Sequence, residues 1–235
     1  MSRRAILLTL LIGVIAAALV IFFLLVSFTP EAASTQAPPI DTLLAILFSI
    51  GSVILTISVV ILIYNVIAFR RRPGDMEDGP AMYGHTPFQM LWVLVPLVIV
   101  IALSIYAALV LTDITKATSH QQELEVRVSA FQWGWLFEYP EYGLTTGELG
   151  LPVDRPVLVE LTSQDVVHSF FVAEFRVKRD AVPGMEQELR FTPSLVGEFK
   201  VRCAELCGLA HTIMVAPTIV MTEGDFEQWV EEQRE

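Results

Sequence analysis

The sequence predicts α-helical transmembrane segments followed by an all-β Greek-key domain on the outer side of the membrane. Three observations predict it. Long stretches of the first half carry no charge, arginines cluster at the ends of those stretches, and period-two alternation dominates the second half. Apolar residues make up 54% of the 235-residue chain and charged residues 17%, too greasy for an ordinary soluble protein.

Ala5 to Phe28, Thr42 to Phe69 and Phe88 to Thr112 are free of charge over 24, 28 and 25 residues. A helix rising about 1.5 Å per residue needs roughly 20 such residues to cross a hydrocarbon core. The first stretch, within residues 1–28, competes with a secretory signal, because Arg3 and Arg4 precede it and Ala32, Ala33 and Ser34 follow. Its length favours a retained helix, since a signal core runs to about 7–15 residues. Residues 42–112 form a helical hairpin.

Arg3 and Arg4 flank the first stretch, and Arg70, Arg71 and Arg72 close the second. Under the positive-inside rule both clusters face the cytoplasm of a bacterial-type plasma membrane. Thr29 to Asp41 is then an outer turn, and everything after the third stretch lies outside. Residues 1–112 carry five basic and five acidic side chains, whereas residues 113–235 carry 10 and 21, so the net charge of −11 belongs to the outer domain. Such a field excludes nucleic acid as a partner and attracts cations.

Residues 118–222 read as that domain. "ELEVRVSAFQWGWLFEY", "RPVLVELTSQD" and "GEFKVRC" alternate apolar and polar positions between Gly, Pro and Asp, the pattern of short antiparallel strands. The tail, 223–235, reads as a helix with Phe226, Trp229 and Val230 on one face.

Both cysteines of the chain lie in "CAELCGLAHTIM", residues 203–214. In the strand that ends there, Cys203 shares the inward face of Phe199 and Val201. The loop then supplies Cys207, His211 and Met214. Thiolate, imidazole and thioether together select copper or another soft metal over magnesium or calcium. His168, about 35 residues upstream in "SQDVVHSFFV", offers a second imidazole, and two thiolates in one loop can bridge two ions. Two alternatives stand beside this one. A Cys203–Cys207 disulfide would make the chain a structural membrane subunit. A C-x-x-x-C pair with a distant histidine would make it a membrane-anchored copper chaperone, although such proteins should show βαβ alternation.

"CAELCGLAHTIM", "DVVHSFFV", "FRVKRDAVPG" and "FQWGWLFEY", behind a hydrophobic hairpin, resemble subunit II of haem–copper cytochrome c oxidases from about Ile40 to Met221, in family order. The resemblance implies a cupredoxin domain with a binuclear CuA centre. By matching positions, Cys203 and Cys207 would bridge the coppers, and His168 and His211 would each bind one. Met214 and the carbonyl of Glu205 would be weak ligands. The Glu205 side chain would help hold a magnesium ion against the haem-bearing subunit I. Trp133 would be where an electron arrives from cytochrome c or a similar donor. The chain would thus be the electron-accepting subunit of a proton-translocating oxidase, performing electron transfer alone among membrane lipid and the other oxidase subunits.

Quinol-oxidising members of the family lack the copper ligands, and this chain keeps all of them. It departs from the family at Gln89, where a glutamate linked to a proton channel is usual, and at Met185, where an arginine is common.

Overall fold

The computed structural model describes residues 3–26, 29–70, 83–115 and 123–234, with Pro73, Gly74, Met76, Gly79 and Ala81 between them. Arg71, Arg72, His120 and the residues at the expected domain start, 118, lie outside the described residues. The chain divides into two units, one of residues 1–27 and 42–111 and one of residues 28–41 and 112–235.

The first unit is helical. Helix α1 runs Arg3–Leu25, α2 Ala37–Ala68 and α3 Thr86–Ile114, the ends of α2 and α3 reaching into the second unit. Helices α2 and α3 are each long and apolar enough to cross a membrane. Helix α3 buries none of its described residues, as expected where lipid replaces water, whereas α2 buries Ala37, Ser52 and Thr56. His85, given no role by the sequence, accepts a hydrogen bond at Nδ1 from the Phe88 N–H (3.2 Å) in the first turn of α3.

The second unit is a sandwich of two five-stranded sheets. One has the order β3-β2-β1-β5-β8, from Leu144–Thr146, Gly134–Tyr139, Leu124–Phe131, Val157–Ser163 and Gln187–Phe191. The other has the order β4-β10-β9-β6-β7, from Leu149–Pro152, Val215–Met221, Gly197–Cys203, His168–Val172 and Val177–Ala181. Pairs β1/β5 and β4/β10 are parallel and the remainder antiparallel, which requires chain crossovers between the sheets. Leu124, Val126 and Val128 of β1 and Val157, Val159 and Leu161 of β5 alternate into the core, as the period-two pattern predicts.

Helix α4, Glu223–Glu232, buries Phe226, Trp229 and Val230 against this core. Thr222 caps it by accepting from the Asp225 N–H at 3.3 Å. A Cβ at Gly150 of β4 would lie 2.7 Å from the Trp229 ring, so only glycine lets the helix pack this closely. The Tyr139 hydroxyl both accepts from the Gly150 N–H and donates to its carbonyl, each at 2.9 Å, tying the two sheets together.

Two local expectations change. The segment 29–41, read from sequence as an outer turn, is built into the sandwich. Ala33 N–H donates to the Glu174 carbonyl (2.9 Å), Ser34 Oγ to the Phe175 carbonyl (2.8 Å), and Ser34 bridges Pro193. Ala33, Ser34 and Ala37 are fully buried as a result. The stretch "ELEVRVSAFQWGWLFEY", read from sequence as one alternating run, divides into two strands between Phe131 and Gly134. A turn at Gln132 and Trp133 separates β1 from β2, leaving Trp133 40% exposed while Trp135 enters the core.

Candidate metal centre

At one end of the sandwich the β5–β6 loop, the β9–β10 loop and the β1–β2 turn converge. The inward phase of β9 carries Cys203 into the core edge, where β6 lies alongside and Phe170 pairs with Cys203. His168 opens β6 and is wholly buried. Beyond Cys203 the chain leaves the sheet, passes Cys207, makes a single 3-10 turn at His211–Ile213 and re-enters as β10 just past Met214. The Cys203 N–H donates to the Met214 carbonyl at 3.1 Å, closing this loop at its neck.

The donor atoms crowd together inside that loop. Cys203 Sγ and Cys207 Sγ are 3.7 Å apart. His168 Nδ1 lies 3.8 Å from Cys203 Sγ, and His211 Nδ1 lies 3.6 Å from Cys207 Sγ. Met214 Sδ is 3.7 Å from Cys207 Sγ, and the Glu205 carbonyl is 3.2 Å from Cys203 Sγ. The ligand atoms of His168, Cys203 and Cys207 all fall within 4.8 Å of one another. All six residues that the sequence reading nominated as copper ligands are therefore brought together.

This geometry fits a metal. A disulfide holds its sulfurs at about 2.0 Å, and the two thiols here are free and much farther apart. Metal–thiolate bonds of about 2.3 Å would let one ion touch both sulfurs across that gap. Two sulfurs, two imidazoles, a thioether and a carbonyl form the soft donor set that suits copper. Burial pushes the Cys207 thiol up to about 11, and the neighbouring Cys203 thiol adds to this, so a thiolate pair here calls for compensating positive charge.

Two residues missed by the sequence reading complete the site. Asp165 Oδ1 lies 2.8 Å from His168 Nε2, and its Oδ2 accepts from the Gln132 N–H at 2.7 Å. Desolvation works to raise the Asp165 pKa. The hydrogen bonds from His168 and from the N–H groups of Val166 and Gln132 outweigh it and hold the carboxyl at about 2. The signal was present in "SQDVVH": a carboxylate close to a ligand histidine is the usual partner of its second ring nitrogen. Gln132 carried no such signal, because its contacts arise from the turn.

The loop surface is apolar, with Leu206, Leu209 and Ile213 largely exposed. Trp133 stands beside it. Gly208 has φ 126°, and a Cβ there would lie 3.0 Å from Gln132 Nε2 and 3.3 Å from Trp133 Nε1. Both the backbone conformation and the close approach require glycine. The Glu205 side chain is exposed. Trp135 packs edge-on against the His168 and Phe170 rings, at centroid distances of 6.4 and 6.0 Å.

Known proteins resemble this chain over most of its length. Residues 144–222 match the family of the cytochrome c oxidase subunit II periplasmic domain, and residues 24–110 match its transmembrane domain. The chain is 34% identical to cytochrome c oxidase subunit 2 of Thermostichus vulcanus, covering 85% of this chain and 76% of that one. It is 30% identical to quinol oxidase subunit 2 of Bacillus subtilis, covering 79% and 60% respectively. The crystal structure of the periplasmic domain of subunit II of cytochrome oxidase from Bradyrhizobium japonicum is 30% identical, covers 52% of this chain and 96% of that one, and superposes with a TM-score of 0.46.

Proposed function

The chain belongs to the cytochrome c oxidase subunit II family, and we propose that it holds a binuclear copper centre through which electrons reach the oxidase. As a member it is a subunit of a haem–copper terminal oxidase, with two membrane-spanning helices and a periplasmic cupredoxin-like domain. The observation that carries the proposal is the convergence of six donors on the Cys203–Cys207 pair.

In this reading Cys203, Cys207, His168 and His211 would hold two coppers, with Met214 and the Glu205 carbonyl as weak ligands. A bound centre of this kind supplies a one-electron couple shared by two metals, with little change in bond lengths. The protein supports it by burying His168, Cys203, Cys207 and Met214 and by closing the loop at its neck, which keeps water from these donors and reorganisation small. Trp133, half-exposed and set against Gly208 beside Cys207, receives the electron from the donor. The acidic domain draws in a cationic donor such as a cytochrome c at salt-dependent rates. The exposed Glu205 side chain is free to share a magnesium ion with the haem-bearing subunit, to which the electron passes.

One relative is a quinol oxidase subunit, which raises a second electron donor. The complete donor set favours the copper route, because a quinol-oxidising subunit has no use for it. The copper-chaperone alternative is disfavoured by the all-β order between Leu124 and Met221.

The full chain, purified in detergent and titrated with copper, tests the reading. We expect two coppers per chain and an electron-paramagnetic spectrum of one unpaired electron spread over both. A colourless chain that forms an internal disulfide and takes up no copper would overturn it.

A further inference from the structure

Gln132 and Asp165 lie outside the donor set yet contact both ligand-bearing loops. Asp165, in the β5–β6 loop, accepts at Oδ1 from the Val166 N–H (2.6 Å) and faces His168 Nε2 (2.8 Å). Its other oxygen accepts from the Gln132 N–H at 2.7 Å. The Gln132 side chain then donates from Nε2 to the Cys207 carbonyl at 2.6 Å. An unbroken path, His168–Asp165–Gln132–Cys207, thus joins the β5–β6 loop to the β9–β10 loop through the turn that carries Trp133.

Each link does separate work. A carboxylate only accepts, so His168 presents its N–H at Nε2 and its lone pair at Nδ1, the atom facing Cys203 Sγ. The ring is thereby fixed in both tautomer and rotation. Ser163 Oγ donates to the Val166 carbonyl and its own oxygen accepts from the Asp165 N–H (3.3 Å), which fixes the loop backbone that carries the carboxylate. The Cys207 carbonyl is held by a side chain rather than by a strand partner. Its position in the loop therefore depends on Gln132.

We propose that Gln132 and Asp165 are positioning residues for the copper centre, a brace that sets His168 from one side and Cys207 from the other. The proposal rests on the two-copper reading above. It also gives the turn bearing Trp133 a second role. The residue next to the electron-receiving tryptophan is the one that holds a bridging cysteine, so the donor face and the metal loop keep a fixed separation.

The test uses the full chain in detergent, loaded with copper, as wild type and as Asp165→Ala, Asp165→Asn and Gln132→Leu. Copper retention is measured by competition with a chelator. Magnetic resonance reads the nitrogen couplings of the two histidines and the β-proton couplings of the two cysteines separately. Asp165→Ala should weaken copper retention by about 10–100-fold and alter the His168 coupling while the His211 coupling stays put. Asp165→Asn should fall between, because its one oxygen still accepts from His168. Gln132→Leu should alter the Cys207 couplings more than those of Cys203.

Variants that hold copper as the wild type does, with every coupling unchanged, would overturn the proposal. So would equal changes at both histidines, which signal general loosening rather than a brace. Should Asp165→Ala fail to fold, Asp165→Asn and Gln132→Leu carry the same readouts. A wild-type chain without a two-copper spectrum overturns the reading beneath and the brace with it. A normal wild type with unaltered variants overturns the brace alone.

Discussion

Cys203 Sγ and Cys207 Sγ stand 3.7 Å apart, each with an imidazole nitrogen close by, His168 Nδ1 at 3.8 Å and His211 Nδ1 at 3.6 Å. The pairing is one sulfur to one histidine, repeated. If both sulfurs bridge, removing one cannot leave a weakened two-copper site, because neither metal keeps a complete thiolate pair. Cys207→Ser should therefore halve the copper content to one per chain and abolish the delocalised spectrum, leaving a mononuclear signal from Cys203, His168 and Met214. Metal analysis beside electron paramagnetic resonance checks this. A variant that still binds two coppers with a shared electron would remove Cys207 from the bridge.

Trp133 makes a complementary prediction about rate rather than binding. The residue is 40% exposed and its ring lies against Gly208, outside the donor cluster. Trp133→Leu removes the aromatic path while every donor named above remains. Electron uptake from the donor should slow at least about ten-fold, equivalent to about 1.4 kcal/mol of barrier, with copper content and spectrum unchanged. Stopped-flow reduction of the copper-loaded oxidase measures it. An unchanged rate would move the point of electron transfer elsewhere on the loop.

The membrane hairpin, the β-domain and five of the six candidate donors were legible in the residues themselves, for a common physical reason, whereas the Glu205 carbonyl entered only through the family resemblance. Charge-free stretches and period-two strands are written in consecutive residues, and five of the six donors sit within the 12 residues from Cys203 to Met214. Only His168 had to be brought in from afar, and its strand position made that legible. The brace was less so, because Gln132 and Cys207 are joined by a turn, and nothing local fixes a contact across 75 residues. The burial of Ala33, Ser34 and Ala37 was hidden likewise. Ala33 and Ser34 are small and unremarkable, and their partners Glu174, Phe175 and Pro193 come from the other end of the chain.

That buried segment depends on Arg176, whose guanidinium pairs with Asp41 at 2.9 Å and donates to the carbonyls of Ala173 and Pro30. Arg176 sits at φ 58°, and its side chain is 7% exposed. Arg176→Ala strips partners from a part-buried carboxylate and from two carbonyls. We expect a loss of about 2 kcal/mol, since hydrogen bonds to charged groups contribute about 1.5–3 kcal/mol each and solvent at Asp41 replaces part of that. Limited proteolysis should then cut within 29–36 sooner than in the wild type, with the copper spectrum retained. Equal protection would mean that the backbone bonds of Ala33 and Thr35 hold the segment unaided.

Asp180 on β7 supplies a test in pH. Its carboxylate accepts from Ser169 Oγ at 2.7 Å and pairs with Lys178 Nζ at 3.0 Å, and these contacts, with Arg179 nearby, lower its pKa against a smaller desolvation effect. A carboxyl whose folded pKa lies below its unfolded value of about 3.9 contributes stability above that value. The contribution fades as pH falls through about 4 and the folded pKa, below which both states carry the proton. Asp180→Asn removes the charge at every pH and leaves the buried Ser169 hydroxyl an amide in its place. The wild type should therefore melt above the variant at pH 6–7, and the gap should close as pH drops below about 4. Thermal melts of the two chains across pH 3–7 decide it. A gap that stays constant down to pH 3 would mean that the hydrogen bond from Ser169 acts by shape alone and that the charge of Asp180 adds nothing.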